Sequence, residues 1–317
     1  MPKNIRRSDM SRKVLVATEK PFAKDAVIGI QDACKKQGYD CILLEKYADK
    51  ADLLNAVAEV DALIIRSDKI TREVIEHARN LKIVVRGGAG YDNVDLAAAT
   101  ENKVVVMNTP GQNSNAVAEL AFGMMLYMAR NKFNGKSGSE LKNKSIGIHA
   151  YGNVGRNIAR IAQGFGMTVC AFDPFISADV MQADGVKPME SVEEMYATCD
   201  YISLNLPLIE ATRKAIHYNL MKTMKKGATI VNTARKEIVC EDGLKMMLAE
   251  RPDFKYISDI APVCADELME KFGSQCFFTP KKMGAQTGEA NVNAGVAAIN
   301  QIIGYLEKGI TTFQVNK

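Results

Sequence analysis

The chain has 317 residues, of which 47% are hydrophobic and 25% charged, and its formal net charge is +4. This length suits two domains of ordinary size, each with its own core. The charge is small and the lysines are mixed with acids, which argues against a nucleic-acid or membrane surface. No apolar run approaches the roughly 20 residues that a membrane-spanning helix needs.

The N-terminus and the cysteines indicate the cellular setting. Residues 1–11 are basic and polar and lack the apolar core of a secretory signal, so we expect a disordered extension. A nucleic-acid-binding tail is the less favoured alternative. The seven cysteines are scattered without CxxC pairs, which argues against zinc sites and a disulfide framework. We therefore predict no metal and a cytoplasmic location.

Short apolar runs alternate with helical patterns through the first 108 residues. The first amphipathic helix is expected to end at Gly38. The predicted strands on either side of this and the following helices are "KVLVATE", "CILLEKY", "ALIIRS" and "KIVVRGG". This alternation is typical of βαβ units and a parallel sheet.

The pattern changes near Asn108, where a turn-rich stretch leads into the long apolar helix "AVAELAFGMMLYMAR". A second α/β series then begins at "KSIGIHA" and includes the predicted strands "YISLNLPL", "ATIVNTAR" and "YISDIAP". One more helix closes the chain. We predict an α/β fold of two Rossmann-like or flavodoxin-like parallel-sheet domains, with a cleft between them where ligands bind.

A glycine-containing turn between a strand and a helix is the clearest functional motif. In "GIHAYGNVGRNIARIAQGFGMTVCAFD", Gly152 permits close approach of a pyrophosphate and Gly155 permits helix–strand packing. Asp173 follows Gly155 by 18 positions, near the ~20 expected for an acid on the adenine ribose, which favours NAD over NADP. Ala150 replaces the usual first glycine, so the turn must tolerate a methyl group. The alternative is a plain strand–turn–helix.

Arg235 follows the apolar strand of "IVNTARKEIV", and the carboxyl ends of parallel strands are where sites form. A guanidinium binds a carboxylate and a carbonyl oxygen through its forked donors. A surface arginine without a function is the competing interpretation.

The chain resembles the D-isomer-specific 2-hydroxyacid dehydrogenases over residues 12–317. The matching segments are "VVRGGAGYDNVDL", "NTPGQNSNAVAELA", "YGNVGRNIARIAQGFGMTVCAFDP", "SLNLPLIEATR", "MKKGATIVNTAR" and "MGAQTGEA". The resemblance implies a substrate-binding domain of residues 12–108 and 289–317 and an NAD-binding domain of residues 109–288. It also implies a homodimer through the NAD domains, with "AVAELAFGMML" at or near the interface.

The resemblance further implies which residues contact the ligands. The matching loop would bind the substrate through Gly87, Gly88, Ala89 and Gly90, and we expect Arg66, Ser67 and Arg86, which lie at two predicted strand ends, to bind its phosphate. NAD would be bound by Tyr151, Gly152, Asn153, Val154, Gly155, Asp173, Leu206, Pro207, Thr212, Thr233, Ala234, Arg235, Asp259 and Gly284. Backbone N–H groups of the glycine loop would hold the substrate carboxylate, and two arginines beside it favour a phosphorylated 2-hydroxy acid over lactate or glyoxylate.

The reaction site departs from the family pattern. Lys282 occupies the position of the usual catalytic histidine, and Cys264 occupies that of its glutamate partner. Asp266 and Glu267 are close enough in sequence to substitute for that glutamate. Smaller departures are Lys236 in place of a glycine and Cys240 in place of an aspartate, and both follow Arg235 closely.

Three interpretations of Lys282 remain open. In the first, catalysis is lost and the protein only binds a dinucleotide. In the second, Lys282 is the acid/base group beside Arg235. In the third, Lys281 and Lys282 bind phosphate or face solvent. The ordinary pKa of a lysine is near 10.4, too high for a base at neutral pH, and a carboxylate partner would raise it further. Nearby cations and a site without water would lower this pKa. The paired loss of histidine and glutamate favours Lys282 as a changed catalytic group, with Arg235 polarising the substrate oxygen.

The expected reaction is NAD-dependent oxidation of 3-phospho-D-glycerate to 3-phosphohydroxypyruvate, the entry to serine biosynthesis. A glyoxylate or hydroxypyruvate reductase is the alternative of the same class, and a non-catalytic NAD-sensing corepressor is the alternative of another class. Longer relatives carry a C-terminal regulatory domain that binds serine, and we expect this shorter form to lack feedback by that route.

Overall fold

The computed structural model describes residues 11–316. The extension predicted at residues 1–11 therefore lies, except for its last residue, outside the described part of the chain. The chain divides into two compact units. One combines the segment up to Asn113 with the segment from Thr287 onward, and the other is Ser114–Gln286.

The first unit contains a five-stranded sheet in the order β2-β1-β3-β4-β5, and every pairing between its strands is parallel. Its strands are β1 (Lys13–Thr18), β2 (Asp40–Glu45), β3 (Ala62–Ile65), β4 (Ile83–Arg86) and β5 (Val105–Asn108). This is the flavodoxin-like order, in which the connections change direction between the first and third strands. Ligands bind such sheets beyond the carboxyl ends of the strands near that switch.

Helices cover both faces of this sheet, as buried parallel strands require. They are α1 (Lys24–Gln37), α2 (Lys50–Val57), α3 (Arg72–His77), α4 (Leu96–Glu101) and α12 (Gly288–Lys308). Alternate residues of β1 enter two separate cores: Val16 packs in the core with α1 and α12, and Leu15 packs in the core with α2 and α4. The predicted end of α1 is confirmed, since Gly38 caps it with a φ of 70°.

The second unit contains a seven-stranded sheet in the order β12-β11-β10-β9-β6-β7-β8, again with parallel pairings throughout. Its strands are β6 (Ser145–His149), β7 (Thr168–Phe172), β8 (Lys187–Pro188), β9 (Tyr201–Leu204), β10 (Thr229–Asn232), β11 (Lys255–Ser258) and β12 (Cys276–Phe278). The strand order reverses between β6 and β9, which makes this the Rossmann-type switch point. Register pairs the last residues of β6, β9, β10, β11 and β12, so the loops after them share one edge.

The helices of the second unit are α5 (Ser114–Ala129), α6 (Asn153–Gly164), α7 (Ala178–Ala183), α8 (Val192–Thr198), α9 (Tyr218–Lys222), α10 (Glu241–Glu250) and α11 (Ala265–Phe272). The prediction of two parallel-sheet α/β units is confirmed. Among the described residues, none of the helices combines the length and apolar character that crossing a bilayer demands.

Candidate active site

The turn after β6 adopts a backbone conformation that glycine normally supplies. Ala150 has a φ of 76°, which is the left-handed region, and its N–H donates to the Phe172 carbonyl of the neighbouring strand at 3.0 Å. A side-chain methyl group in this region is strained by contact with the backbone. The turn therefore does tolerate the alanine, at a cost in conformational energy.

The two remaining glycines lie at the start of α6, Gly152 as its N-cap and Gly155 as its third residue. Gly152 is the N-cap, it is exposed, and a Cβ built on it would meet nothing within 4 Å. A Cβ on Gly155 would lie 2.5 Å from the Ala150 carbonyl oxygen, so this position does not accept a side chain. The result is an uncovered helix N-terminus over residues 152–154, with N–H groups and a positive dipole end available to an anion.

Asp173 lies beside this turn, at the end of β7. One carboxylate oxygen accepts the Tyr151 N–H at 2.8 Å and the other accepts the Phe175 N–H at 2.9 Å. The side chain of Tyr151 is itself buried and its hydroxyl donates to Asp184 at 3.0 Å, so only its backbone lines the turn. The two backbone bonds hold the Asp173 carboxylate in one orientation next to the glycine turn.

The loop after β9 is stabilised by one of the predicted residues. The Thr212 hydroxyl donates to the carbonyls of Pro207 at 2.6 Å and Ile209 at 3.1 Å, and it accepts the Ile209 N–H at 3.0 Å. Thr212 therefore shapes the segment that begins at the half-buried Leu206. Its hydroxyl already has three local partners.

The loop after β10 is organised by Asn232, which the sequence reasoning missed. Its side-chain oxygen accepts the Ala234 N–H at 3.0 Å, and its side-chain nitrogen donates to the Arg235 carbonyl at 3.0 Å. The Arg235 guanidinium is half-buried and donates through Nη1 to the Ala234 carbonyl at 3.0 Å. The buried Oγ1 of Thr233 has no hydrogen-bond partner among the described residues.

Asp259 immediately follows β11, and its carboxylate is buried, with 1% of the residue exposed. Its oxygens accept the Met283 N–H at 2.7 Å, the Gly284 N–H at 2.8 Å and the Thr279 hydroxyl at 3.0 Å. These three bonds fix the loop that carries Lys282 to the end of β11. Lys282 itself is an exposed residue of this loop.

The acids expected near Cys264 are placed differently. Glu267 is paired with Lys245 at 2.6 Å and Lys271 at 3.0 Å, and Asp266 is exposed. The carboxylate that contacts Cys264 is instead Glu241, which accepts the Cys264 N–H at 3.1 Å. Burial and the hydrogen bond to Glu241 raise the pKa of the Cys264 thiol to about 11, so this thiol is protonated at neutral pH.

His149 is one of the buried polar residues of the second unit. It is buried at the end of β6, and its Nδ1 lies 3.2 Å from the hydroxyl of Tyr196. Burial lowers the pKa of His149 to about 4, because a charged imidazolium would lose its hydration.

In the first unit, the two predicted arginines meet at neighbouring strand ends. Arg66 follows β3 and Arg86 ends β4, and Arg86 Nε donates to the Arg66 carbonyl at 3.0 Å. Arg66 Nη1 donates to the Pro21 carbonyl at 2.8 Å, and its guanidinium lies 5.3 Å from the centre of the Phe22 ring. Desolvation lowers the pKa of Arg66, although an arginine remains charged at neutral pH.

The glycine loop after β4 is shaped by Arg86. Gly88 has a φ of 147°, and a Cβ built there would lie 1.7 Å from Nη1 of Arg86, so the arginine occupies the space of a side chain. The N–H groups of Gly87 and Gly88 already donate to carbonyls of Ile65 and Arg86, at 2.8 and 2.9 Å. The N–H groups of the next two residues, Ala89 and Gly90, are therefore the better candidates for an external carboxylate.

Asp68, which the sequence reasoning also missed, connects three loops of the first unit. Its buried carboxylate accepts the Glu19 N–H at 2.7 Å, the Tyr47 hydroxyl at 2.8 Å and the Arg66 N–H at 3.1 Å. Ser67, between Arg66 and Asp68, is exposed. The carboxyl edge of this sheet is thus held in place by a buried acid, with guanidinium groups beside it.

Comparison with known proteins identifies the family. The model for "D-isomer specific 2-hydroxyacid dehydrogenase, catalytic domain" matches residues 19–316. An NAD⁺-bound 3-phosphoglycerate dehydrogenase from Entamoeba histolytica has a similar structure, with 44% identity and a TM-score of 0.90, covering 97% of this chain and 99% of that one.

Two curated relatives give the same family with different names. The hydroxypyruvate reductase of Thermotoga maritima is 35% identical over 84% of this chain and 90% of its own length. The D-3-phosphoglycerate dehydrogenase of Methanocaldococcus jannaschii is 35% identical over 80% of this chain, and the match spans only 51% of that protein. The predicted resemblance is confirmed: the chain belongs to the D-isomer specific 2-hydroxyacid dehydrogenases, a family of NAD-dependent oxidoreductases.

Proposed function

We propose that this protein oxidises 3-phospho-D-glycerate to 3-phosphohydroxypyruvate with NAD, as a cytoplasmic enzyme of serine biosynthesis. The observation that carries the substrate assignment is the position of Arg66 and Arg86 at neighbouring strand ends beside the glycine loop, where Arg86 Nε donates to the Arg66 backbone carbonyl at 3.0 Å. Two guanidinium groups next to a carboxylate-binding loop suit a substrate with both a carboxylate and a phosphate. The named relatives support the same substrate class.

The residues of the second unit fit a dinucleotide. Gly152 leaves open space above the N-terminus of α6, Asp173 is oriented beside it, and the Thr233 Oγ1 is buried without a partner. We propose that the N-terminus of α6 at Gly152 binds the pyrophosphate and that Asp173 binds the ribose hydroxyls. Thr233 Oγ1 would bind a polar group of the cofactor. When bound, NAD would accept a hydride from the substrate C2, and the reduced cofactor would return it in the reverse direction.

Two side chains are proposed to act on the substrate, one on its oxygen and the other on its hydroxyl proton. Arg235 polarises the substrate oxygen, and Lys282 takes the hydroxyl proton in oxidation and returns it in reduction. Because Lys282 is exposed, this role requires that bound ligands and the positive guanidinium of Arg235 lower its proton affinity. Asp259 contributes by fixing the loop of Lys282 through the N–H groups of Met283 and Gly284.

Hydroxypyruvate reduction is the second candidate function. It is favoured by the Thermotoga relative, of which this chain covers 90%. A hydroxypyruvate reductase has no need of a phosphate-binding arginine, so the contribution of Arg66 separates the two functions. The exposed Ser67 beside Arg66 would contribute a hydroxyl to a phosphate and little to hydroxypyruvate.

The decisive assay compares NADH oxidation by phosphohydroxypyruvate, hydroxypyruvate and glyoxylate in the wild type and in Arg66→Ala. We expect kcat/KM to fall about 100-fold for phosphohydroxypyruvate, since a charged hydrogen-bond pair is lost, and less than about threefold for hydroxypyruvate. The second substrate serves as the folding control within the same variant. Equal losses on both substrates, or a wild type that prefers hydroxypyruvate, would favour the reductase.

The acid/base role is tested by Lys282→Ala beside Lys281→Ala. Both lysines are exposed neighbours, so the second variant controls for the loss of one positive charge on the same loop. We expect Lys282→Ala to lose at least about 100-fold in kcat, as for other general acids and bases, and Lys281→Ala to keep near-normal turnover. The reverse result would assign the proton to the other lysine, and two active variants would remove the lysines from the mechanism.

We also propose a homodimer through the second unit, at the surface of α5. Most of this helix is apolar and buried, and its exposed positions are Asn115, Glu119 and Gly123, the last being one where a Cβ would meet nothing within 4 Å. Gly123→Arg should leave the unit folded and separate the dimer, because burying a guanidinium at the interface carries a large desolvation cost. Light scattering after size exclusion gives the mass, and a variant that is still dimeric would remove α5 from the interface.

A further inference from the structure

Two departures from the family pattern, Cys240 and Cys264, adjoin one carboxylate in the structure, and a third, Lys236, precedes that carboxylate by five positions in sequence. Glu241 is the first residue of α10, directly after Cys240. It accepts the Val263 N–H at 2.7 Å and the Cys264 N–H at 3.1 Å. The positive charge of Lys236 favours its ionised form.

Glu241 supplies a hydrogen-bond acceptor at a helix start, which the cysteine side chains do not. Cys240 is the N-cap of α10 and Cys264 is the N-cap of α11, and neither makes a side-chain capping bond. Aspartate, which is usual in the family at position 240, is among the best N-cap residues, whereas a thiol is a weak acceptor. The Glu241 carboxylate instead binds N–H groups at the start of α11 from outside that helix.

The segment from Arg235 to Glu241 is hydrogen-bonded to residues 214 and 216. The N–H groups of Lys214 and Ile216 donate to the carbonyls of Glu237 and Ile238, at 2.9 and 3.0 Å. Cys240 donates back to the Ile216 carbonyl at 3.0 Å. At the other end of the segment, the Arg235 carbonyl accepts Asn232 Nδ2 at 3.0 Å, so both ends of these seven residues are held by hydrogen bonds.

We propose that Glu241 is a positioning residue for Arg235: it clamps the segment that carries Arg235 to Val263 and Cys264, with Lys236 as its electrostatic partner. The inference rests on the proposed role of Arg235. The three departures are then one coordinated change. A cation at position 236 is compensated by the carboxylate, and a cysteine at position 264 donates to it, whereas a glutamate there would repel it.

The test is a double-mutant cycle of Glu241→Gln and Lys236→Met, with kcat and both KM values measured for phosphohydroxypyruvate or hydroxypyruvate and NADH, alongside Tm. Glu241→Gln keeps one acceptor oxygen and loses the charge. We expect kcat/KM for the keto acid to fall about tenfold, with KM for NADH changed less than about twofold. Lys236→Met alone should cost about twofold, and the double variant should be no worse than Glu241→Gln, because the pair acts as a unit.

Glu250→Gln is the matched control, since Glu250 ends the same helix and pairs on the surface with Tyr218 and Lys222. It should leave kinetics unchanged. Unchanged kinetics in Glu241→Gln, multiplicative losses in the double variant, or a loss of Tm with no kinetic change would each overturn the inference. Arg235→Gln, run in parallel, separates the failures: if it keeps full turnover the proposed role of Arg235 is wrong, and if it alone loses turnover only the positioning role is wrong.

Discussion

Each unit has a buried aspartate just beyond a strand of its sheet, and the two differ in how much structure they hold. Asp68 accepts bonds from residues that follow three different strands, namely Glu19, Tyr47 and Arg66. Asp259 accepts its three bonds from a single loop, through Thr279, Met283 and Gly284. The first therefore ties together a whole sheet edge, whereas the second fixes one catalytic loop.

The largest expected effect comes from removing the acid that connects three loops. Asp68→Ala leaves two N–H groups and a hydroxyl in a buried setting without their acceptor, which we expect to cost about 4 kcal/mol of unfolding free energy. Urea unfolding measures this loss of free energy. Asp68→Asn is the control, because it retains one acceptor oxygen and should lose about half as much. A loss below about 1 kcal/mol in Asp68→Ala would show that solvent replaces these bonds.

A buried imidazole in the second unit predicts an acid sensitivity. The pKa of His149 is lowered to about 4, and an unfolded histidine titrates near 6.5, so the native state resists protonation. Because His149 is buried in its neutral form, the free energy of unfolding decreases as pH falls from about 6.5 to 4, by about 3 kcal/mol in total. Above pH 6.5 this histidine does not change the free energy of unfolding. Unfolding free energies measured from pH 7 to 4 should fall less steeply in His149→Gln. Parallel pH profiles for the two proteins would contradict the assignment.

A smaller loss of stability and a clear kinetic effect are expected at the other aspartate. Asp259→Asn places an amide NH₂ against one of the three donors, and we expect a cost of about 2 kcal/mol because only one loop loses its acceptor. The displaced loop carries Lys282, so kcat should fall about tenfold or more. Steady-state kinetics and urea unfolding separate the two effects. Full activity in a destabilised variant would mean that the loop position does not matter for turnover.

The comparison also explains what the sequence could and could not predict. The strands, the helix end at Gly38, and the open turn at Gly152 and Gly155 follow from local patterns, and the structure confirms their positions. The organising residues Asp68, Asn232 and Glu241 carry no such pattern. Their partners are up to 49 residues away, as for Asp68 and Glu19, so their roles depend on which loops the fold brings together.

Reaction-site acids show the same limit. The spacing in sequence pointed to Asp266 and Glu267, which lie within three positions of Cys264. The structure turns Glu267 toward Lys245 and Lys271, and it brings Glu241, which precedes Cys264 by 23 positions, into contact. Helix packing, which sequence spacing does not encode, decided between them.

The smallest expected effect concerns the turn after β6, where an alanine adopts a left-handed backbone conformation that glycine normally supplies. Ala150 has a φ of 76°, so Ala150→Gly removes a steric penalty of about 1 kcal/mol, while glycine increases the entropy of the unfolded chain by a somewhat smaller amount. We expect a net gain of about 0.5 kcal/mol, or about 1–2 °C in Tm. The control is Ala249→Gly, at an exposed position of α10, which should lose about 1 kcal/mol because the helical alanine is unstrained. If both variants lost stability equally, the left-handed conformation at position 150 would carry no cost for alanine, and the family's preference for glycine there would reflect the approach of the cofactor alone.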